Sequence, residues 1–468
     1  MPAATRGVGG STREEREDMT QNASPMMASP GWMPAARPGV SVATVFVGIF
    51  IVLVVVFLAQ PYVNYVVKGF GGVLAGVYIL YALRDRLRPS PEMILYLVWV
   101  GWSLAAIFAA PSAQLFWLKW STIFQIWILL VIMSGLINTQ RALSHSLGWF
   151  LAAALIVGGY SYVTGDYKRV LVEGERVSGL ALGANGFGWT MLLASVAAAY
   201  FWMLPSRARK IKRLMLLALM VGMAAATVLS GSRKAILGLG AFYLLWPLFC
   251  YRKDMWRRPA LLALVMVGLT VGGVMMVRFV YRTPVADRFR EGWMTLTGTQ
   301  ASLHGTVSRV RLYSQARDLI VRHPIAGVGL DQFRLYSSLS DMVHSEYGDV
   351  AVSTGLVGLA IYLAIFVVFF LRAWKIRRHV PDPVAARTCG LILAFLVVVA
   401  FMDLGRWNFN AKETWIVFGS LIGYTNGIWQ TWRVRQAVVS SGALDPVKLP
   451  PQAGATPPVT LGHVPKTG

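Results

Sequence analysis

Long apolar segments separated by short polar ones run through most of the chain. A helix needs about 20 apolar residues to cross roughly 30 Å of hydrocarbon, and segments of that length recur along the sequence. They predict twelve membrane-spanning helices, near residues 41–59, 66–83, 92–110, 115–136, 143–163, 184–204, 212–229, 234–251, 259–280, 354–372, 387–405 and 412–431. We therefore predict an all-α polytopic membrane protein whose spans form one domain over residues 41–439.

Three segments depart from this pattern. Residues 1–40 and 440–468 are rich in Pro, Ala, Gly and Ser and have little apolar periodicity, so we expect two disordered tails. Residues 281–353, between the ninth and tenth predicted spans, are too many for a simple connector. Within them the pattern predicts a helix over 308–322 that ends at a proline, and a second short helix over 331–340.

The predicted helix over 308–322 carries an apolar stripe and a basic side. The stripe consists of Val310, Leu312, Tyr313, Ala316, Leu319 and Ile320, and the basic side of Arg309, Arg311, Arg317 and Arg322. Two interpretations of this pattern stay open. Either the helix lies on the membrane surface, or it is a lid over a cavity and its arginines hold an anionic lipid headgroup.

Composition supports the membrane assignment and limits the partners. Apolar residues make up 56% of the chain and charged residues 14%, which leaves too little polar surface for a soluble protein of 468 residues. The formal net charge is +23, an excess that in a soluble protein would suggest nucleic acid. Most of this excess lies between spans, so we expect contacts with membrane lipids and no nucleic-acid partner. Cys250 and Cys389 lie at or within apolar segments and predict neither a disulfide framework nor a zinc site.

The distribution of Lys and Arg predicts which way the spans run. Loops on the side of the two tails carry most of the loop cations, for example Arg84, Lys210 and Arg377, whereas the short loops on the other side carry fewer. Because positively charged loops stay in the cytoplasm, we place both termini there, and an even number of spans agrees with this. Residues 281–353 then lie on the outer side of the membrane.

One cation on the outer side stands in an unusual place. Arg233 ends the sequence Ser230-Gly231-Ser232-Arg233, a very short turn between two apolar helices. A charge held near membrane depth is expected to face a cavity or a partner, with snorkelling to the interface as the alternative. The tight Gly-Ser turn favours the first interpretation, because it fixes the arginine near the protein interior.

The candidate for acid–base chemistry is a histidine. The chain contains six histidines, and His344 alone is predicted to lie on the outer face at the mouth of a span, with the carboxylate of Glu346 two residues away. A neutral imidazole can take a proton from a sugar hydroxyl at neutral pH. We therefore select His344 as the candidate base.

The residues after His344 form a spaced motif. His344-Ser345 is followed after nine residues by Gly355 and after two more by Gly358. This spacing resembles the signature of bacterial O-antigen ligases and of the related protein O-oligosaccharyltransferases. Their superfamily also contains O-antigen and exopolysaccharide polymerases.

Three further stretches resemble the same superfamily. They lie at residues 176–185, at the arginine turn 230–233, and over 309–329, where Arg309 is followed by Tyr313 and by a His-Pro-Ile-Ala-Gly-Val-Gly run. Four motifs in the expected order cover about residues 170–360. The chain departs from the family where Tyr313 replaces a frequent Trp and Ser345 a frequent Asn, and neither change removes a charged or catalytic group.

The resemblance implies a glycosyltransferase of the bacterial inner membrane with its active site at the periplasmic face. Such enzymes take a glycan from undecaprenyl diphosphate and join it to an acceptor hydroxyl, which for a ligase belongs to the lipid A–core oligosaccharide. The acceptor is a poor nucleophile, and the leaving diphosphate gathers negative charge. A base and a set of cations therefore suffice, and a single displacement inverts the anomeric centre.

The resemblance also implies roles for individual residues. His344 would be the general base, while Arg233 and Arg309 would hold the diphosphate with Arg176 and Arg311 behind them, since guanidinium groups match phosphate oxygens bidentately. The remaining motif positions are Tyr313, Ser345, Glu346, Gly355 and Gly358. Glu346 is a candidate to orient His344.

The sequence leaves the cofactor question and two other function classes to be weighed. The first two predicted outer loops contain no Asp or Glu, so we expect metal-independent transfer without a cofactor, with arginines in place of a cation. A polymerase or a protein O-glycosylating relative would share the chemistry and differ only in its acceptor. A twelve-span transporter or flippase is disfavoured, because no internal repeat is visible.

Overall fold

A computed structural model describes residues 42–57, 64–85, 89–167, 177, 180, 183–206, 208–257, 278, 306–405 and 411–441. Both predicted tails, except for two residues at the start of the second, lie outside these ranges. So do nearly all of the ninth predicted span, 259–280, and residues 281–305 of the long outer segment.

The described residues form thirteen α-helices, which we number in chain order. They are α1 Val42–Phe57, α2 Asn64–Asp85, α3 Pro91–Ala105, α4 Ala113–Leu136, α5 Gln140–Val163, α6 Ala184–Met203, α7 Arg209–Leu229, α8 Arg233–Arg257, α9 Thr306–Arg322, α10 Phe333–Tyr336, α11 Glu346–His379, α12 Pro383–Asp403 and α13 Lys412–Ser440. A 3₁₀ turn, Ala106–Ala109, extends α3.

The helices agree with the predicted membrane class. In the described part of the chain, eight helices are long and apolar enough to cross a membrane, and α1 and α2 supply two shorter apolar ones. The last predicted span coincides with α13. The described residues are thus all-helical and carry several apolar helices, as the predicted multi-pass membrane class requires. The number of twelve spans stays a prediction, because the ninth lies outside the described residues.

Side-chain caps define where several helices begin. Ser90 precedes Pro91 and accepts a hydrogen bond from the backbone of Met93, and Asp382 caps α12 in the same way before Pro383. Proline suits the first helical position because its missing N–H would have no intrahelical partner there. These local signals explain why the predicted starts of the third and eleventh spans lie close to the observed ones.

The core of the bundle lies around α6 and α12. Both helices are mostly buried, whereas the other six helices of membrane-spanning length and hydropathy leave most of their residues unburied. The α12 helix packs against α8 on one side and α11 on the other, and α6 packs against α7, α5 and α8. Trp99, Trp189 and Trp415 are among the largest fully buried side chains.

The tenth predicted span differs from its prediction in length and in shape. The sequence predicted 354–372, but α11 begins at Glu346 and ends at His379, so the last eight residues of the predicted outer loop are helical. Its helical conformation breaks at Gly355, where φ is 73° and ψ is −179°. Residues 346–354 are therefore a short helical segment at the end that the sequence predicts to be outside, and the longer part after Gly355 has the length and hydropathy of a span.

The outer loop fills the break in α11. The backbone N–H of Val328 donates to the carbonyl of Val352 at 2.8 Å, and Leu356 donates to Pro324 at 2.7 Å. Gly327 of the loop and Gly355 of α11 lie where these two segments of the chain cross. A Cβ on either glycine would collide with the backbone of the other segment. The freed backbone groups thus gain partners from the loop, as buried backbone requires.

Packing decides between the faces of α9. Leu312, Ala316 and Leu319 are buried against Val328, Phe333, Val343 and Val352, so the inner face of α9 packs on the loop and on the outer segment of α11. Val310 and Tyr313, predicted in the apolar stripe, are instead 63% and 40% exposed. That part of the prediction was wrong. Leu312, Ala316 and Leu319 follow the helical spacing i, i+4 and i+7 and share the buried face, whereas Val310 and Tyr313 lie outside it. The predicted helix end before Pro324 is confirmed, whereas α10 spans only Phe333–Tyr336 of the predicted 331–340.

Candidate functional site

His344 lies directly before α11, in a turn that gives it a carboxylate partner. Its Nε2 is 3.2 Å from Oδ2 of Asp341. The other oxygen of Asp341 accepts a hydrogen bond from the backbone of Met342 at 2.8 Å, and the hydroxyl of Ser337 bonds to both the N–H and the carbonyl of Asp341. Asp341 is therefore held in place by the turn, and it can orient the imidazole ring.

The two residues after His344 start the helix and turn inward. Ser345 is the N-cap of α11, with its hydroxyl accepting from the N–H of Gly348 at 3.4 Å. Glu346 is fully buried, and its Oε1 accepts a hydrogen bond from the hydroxyl of Tyr362 at 2.7 Å. Whether Glu346 orients His344 stays a prediction, since the contact described for it is with Tyr362.

The two glycines of the motif serve the backbone. Gly355 is the break in α11, in the left-handed region where a side chain costs free energy. A Cβ on Gly358 would collide with the side chain of Thr354 and lie 3.1 Å from Trp102. Trp102 also donates a 2.9 Å hydrogen bond to the carbonyl of Thr354, next to the break. The motif spacing therefore connects the candidate base to the bend that positions it.

Arg233 is the first residue of α8 and follows a buried turn. Ser230 and Ser232 are at most 2% exposed, and the Ser230 hydroxyl donates to Thr227 at 2.6 Å while it accepts from the backbone of Ser232. Arg233 itself is half-buried. The turn thus fixes the origin of the Arg233 side chain, as the Gly-Ser sequence predicted.

The Arg233 turn and the His344 turn converge on one helix end. The hydroxyl of Tyr347, near the start of α11, donates to the carbonyl of Ala400 at 2.8 Å. At the same end of α12, a Cβ on Gly405 would lie 3.7 Å from the ammonium nitrogen of Lys234. We call this end of the bundle, where α8 and α11 begin and α12 ends, the His344 end.

The remaining predicted site residues differ in how far the structure describes them. Arg309 lies in the first turn of α9, and only its backbone is described. Arg311 and Tyr313 are exposed on the same helix. Arg176 lies outside the described residues. Their predicted roles in holding a diphosphate stay predictions.

A charged cluster at the His344 end was missed by the sequence interpretation. Lys119 of α4 is 8% exposed and lies within electrostatic reach of Asp349, then Asp331 and Glu346. Asp331 also pairs with Arg334 at 2.6 Å. A lysine inside the predicted span 115–136 was the available signal, because a charge at membrane depth requires a partner or a cavity.

The arrangement brings together the elements of a hydroxyl-transfer site. It places a histidine with an orienting carboxylate near the helix end that also receives the Arg233 turn, and it adds a buried lysine among carboxylates. An imidazole held by a carboxylate can remove a proton, and a guanidinium can stabilise a charged leaving group. This chemistry suits the transfer of a group from a phosphorylated donor to an alcohol.

One comparison with known proteins bears on this assignment, and it is the match to a family model. A family model described as O-antigen ligase matches residues 218–363, which agrees with the family that the motifs resemble. The match indicates glycosyltransferase activity of the O-antigen ligase and polymerase type. No curated protein matches the sequence. A chain from the solved structure "Structural coordination of polymerization and crosslinking by a peptidoglycan synthase complex" is similar at 14% identity and a TM-score of 0.42, over 72% of this chain and 98% of that one.

Proposed function

We propose that this member of the O-antigen ligase family transfers a glycan from undecaprenyl diphosphate to a hydroxyl of the lipid A–core oligosaccharide. The observation that carries the proposal is the family match over residues 218–363, which contains the Arg233 turn, α9 and the motif that begins at His344. The reaction takes place at the His344 end of the bundle, on the periplasmic side of the bacterial inner membrane.

In the proposed reaction His344 acts as the general base. With its Nε2 proton held by Asp341, the Nδ1 lone pair accepts the proton of the acceptor hydroxyl as the oxygen attacks C1 of the donor sugar. The C1–O bond to the diphosphate breaks in the same step, so the anomeric centre inverts. A positioned base contributes roughly a hundred- to ten-thousand-fold to the rate.

Arginines stabilise the leaving diphosphate in this mechanism. We propose that Arg233 and Arg309 bind its oxygens as the charge develops, with Arg176 and Arg311 as further cations. Each donor aimed at developing charge contributes about a hundred- to a thousand-fold. We propose that the arginines replace a divalent cation, so the transfer needs no metal.

The proposal is tested by transfer of a polyprenyl-diphosphate-linked glycan to purified lipid A–core in proteoliposomes that contain EDTA. We expect His344→Ala to lower the rate at least a hundredfold. The matched control is His379→Ala, at the opposite end of α11, where the ring bonds to the carbonyl of Lys375 and a normal rate is expected. If the protein were a transporter, both variants would retain their transport activity. An unchanged rate of glycan transfer for His344→Ala would exclude His344 as the base.

The acceptor separates the ligase from the alternative with the same chemistry. Deleting the gene should leave the core oligosaccharide uncapped while undecaprenyl-linked polymer accumulates. Single repeat units attached to core would instead indicate an O-antigen or exopolysaccharide polymerase. Loss of glycan from a protein acceptor, with normal lipopolysaccharide, would indicate a protein O-oligosaccharyltransferase.

A further inference from the structure

A groove opens between α8 and α11 at the end of the bundle opposite His344. Both helices pack on α12. The groove contains an open cavity of about 530 Å³, lined by Leu248, Phe249, Phe370, Leu371, Trp374 and Arg377. Arg377 lies in the last turn of α11, so the transmembrane part of this helix separates the cavity from the proposed active site.

The walls of the groove are apolar and continue toward the middle of the membrane. On α11, Leu363 and Val367 precede Leu371 at intervals of four residues, and all three are exposed. Residues at this spacing share one face of a helix, and eight residues rise about 12 Å. On α8, Leu244 and Leu248 are also exposed. The two exposed ridges can bury hydrocarbon chains that run along the helices.

Aromatic rings and guanidinium groups surround the wide end of the groove. The Arg377 guanidinium lies 5.9 Å from the ring centre of Phe249, and that of Arg387 lies 5.5 Å from the ring centre of Tyr251. Tyr251, and Trp374 of the cavity lining, are residue types that gather at the level of the lipid headgroups. The arginines therefore lie at headgroup depth, directly beyond the apolar walls.

The two arginines come from different helices and converge on the same part of α8. Arg377 belongs to α11 and Arg387 to α12, yet both lie within electrostatic reach of the Cys250 thiol. The thiol also donates to the carbonyl of Arg387 at 3.3 Å. Near this point α8 bends, with Pro247 inside the helix and Tyr251 outside the helical conformation. Arg377 thus lines the cavity, and Arg387 lies on the adjacent stretch of α8, against Tyr251 and Cys250.

We propose that this groove binds an anionic phospholipid of the leaflet opposite to His344, which the charge distribution identifies as the cytoplasmic leaflet. The acyl chains lie against the ridges of α8 and α11. The phosphate accepts charge-assisted hydrogen bonds from Arg377 and Arg387, whose guanidinium geometry suits phosphate oxygens. The bound lipid thus contacts α8, α11 and α12 together. This inference does not depend on the proposed reaction.

The test uses the full-length protein, stripped of lipid in a nonionic detergent and titrated with phosphatidylglycerol or phosphatidylcholine, with native mass spectrometry as the readout. For the wild type we expect phosphatidylglycerol to bind about tenfold more tightly than phosphatidylcholine. The Arg377→Gln/Arg387→Gln double variant should lose this preference, and Arg377→Lys/Arg387→Lys should keep most of it.

The matched control removes two arginines from the same end of the bundle but outside the groove. Arg433 and Arg435 of α13 fit this purpose, because Trp432 contacts the ring of His379 there. Arg433→Gln/Arg435→Gln should keep the preference. Equal binding of the two lipids to the wild type, or an undiminished preference in the Arg377→Gln/Arg387→Gln variant, would overturn the inference. Displacement of phosphatidylglycerol by equimolar undecaprenyl phosphate would also overturn it and assign the groove to the polyprenyl chain.

Discussion

At the level of single residues, the structure adds Asp341 and Lys119 to the candidate site. Asp341 supplies the carboxylate that faces His344, three residues before it in the sequence. Lys119 adds a buried positive charge from α4 among the carboxylates of the outer segment. The contact of Asp341 is local, whereas the carboxylates around Lys119 come from segments distant in the chain. In both cases the side chain contributes to the site through the groups that lie next to it.

Asp341→Asn is predicted to lower kcat about ten- to a hundredfold, less than the loss of His344 itself. The amide keeps the size of the side chain but removes the charge that stabilises a protonated imidazole during the reaction. Steady-state kinetics of glycan transfer would measure this effect, with Asp318→Asn on the exposed side of α9 as the control. A normal kcat for Asp341→Asn would show that the carboxylate does not assist His344.

At the level of elements, the broken helix α11 and the loop before it form one unit. The loop donates backbone hydrogen bonds into the break, and its Gln332 binds Ser112 at the start of α4. The Gln332 amide accepts from the N–H of Ser112 and donates to its carbonyl, both at 2.9 Å. The described part of the predicted outer loop, residues 306–345, is therefore anchored to the bundle and is not a detached surface helix.

Gly355→Ala should destabilise this unit by about 1–3 kcal/mol, because a side chain there meets a left-handed backbone and the carbonyl of Ile325. Thermal unfolding of the detergent-solubilised protein is the measurement, and a lower midpoint is expected. Gly101→Ala on α3 is the matched control, since a Cβ there meets no atom within 4 Å. Equal midpoints for the two variants would contradict the role given to the break.

Gln332→Ala should loosen the loop without unfolding the bundle. It leaves the partly buried N–H and carbonyl of Ser112 without these partners, which costs about 1 kcal/mol locally. Hydrogen–deuterium exchange over residues 323–345 should become roughly tenfold faster, as expected for a local opening of this size. Gln315→Ala, which removes an exposed contact with Ser338, should leave the exchange unchanged. Slow exchange in both variants would mean that other contacts hold the loop.

At the level of the whole molecule, a buried ion pair joins α3 and α11 far from the His344 end. Arg372 Nη1 lies 2.9 Å from Oε2 of Glu92, and the two side chains are 7% and 0% exposed. The same guanidinium donates to the carbonyl of Ile422 at 3.2 Å. Glu92 lies in the first turn of α3, and Arg372 lies near the end of α11. The pair therefore ties these two antiparallel helices to α13 at the end that carries the proposed lipid groove.

Glu92→Gln should lower stability by about 3–5 kcal/mol, because it leaves the buried charge of Arg372 uncompensated. The Glu92→Met/Arg372→Met double variant should recover most of this loss, since apolar residues of similar volume replace the pair. Thermal unfolding of the three proteins tests this. If the double variant were as unstable as Glu92→Gln, the loss would come from packing and not from the unpaired charge.

The sequence predicted the positions of the helices better than it predicted which face of a helix is buried. The twelve apolar segments and the proline that ends α9 depend on length and local chemistry, so the described helices follow them closely. The exposure of Val310 and Tyr313 was predicted wrongly, because the pattern alone does not tell which side of α9 will meet another element. The early start of α11 was also missed, since residues 346–353 are too polar to be read as part of a span.

The sequence by itself determined the membrane class, the order of the helices and the family, because these depend on hydrophobic length and on motifs between neighbouring residues. The tertiary structure decided which groups meet. It placed Asp341 against His344, surrounded Lys119 with carboxylates, and let the loop hydrogen-bond into the break at Gly355. The physical reason is that the buried Lys119 and the backbone groups freed at Gly355 need polar partners, and these come from segments distant in the chain.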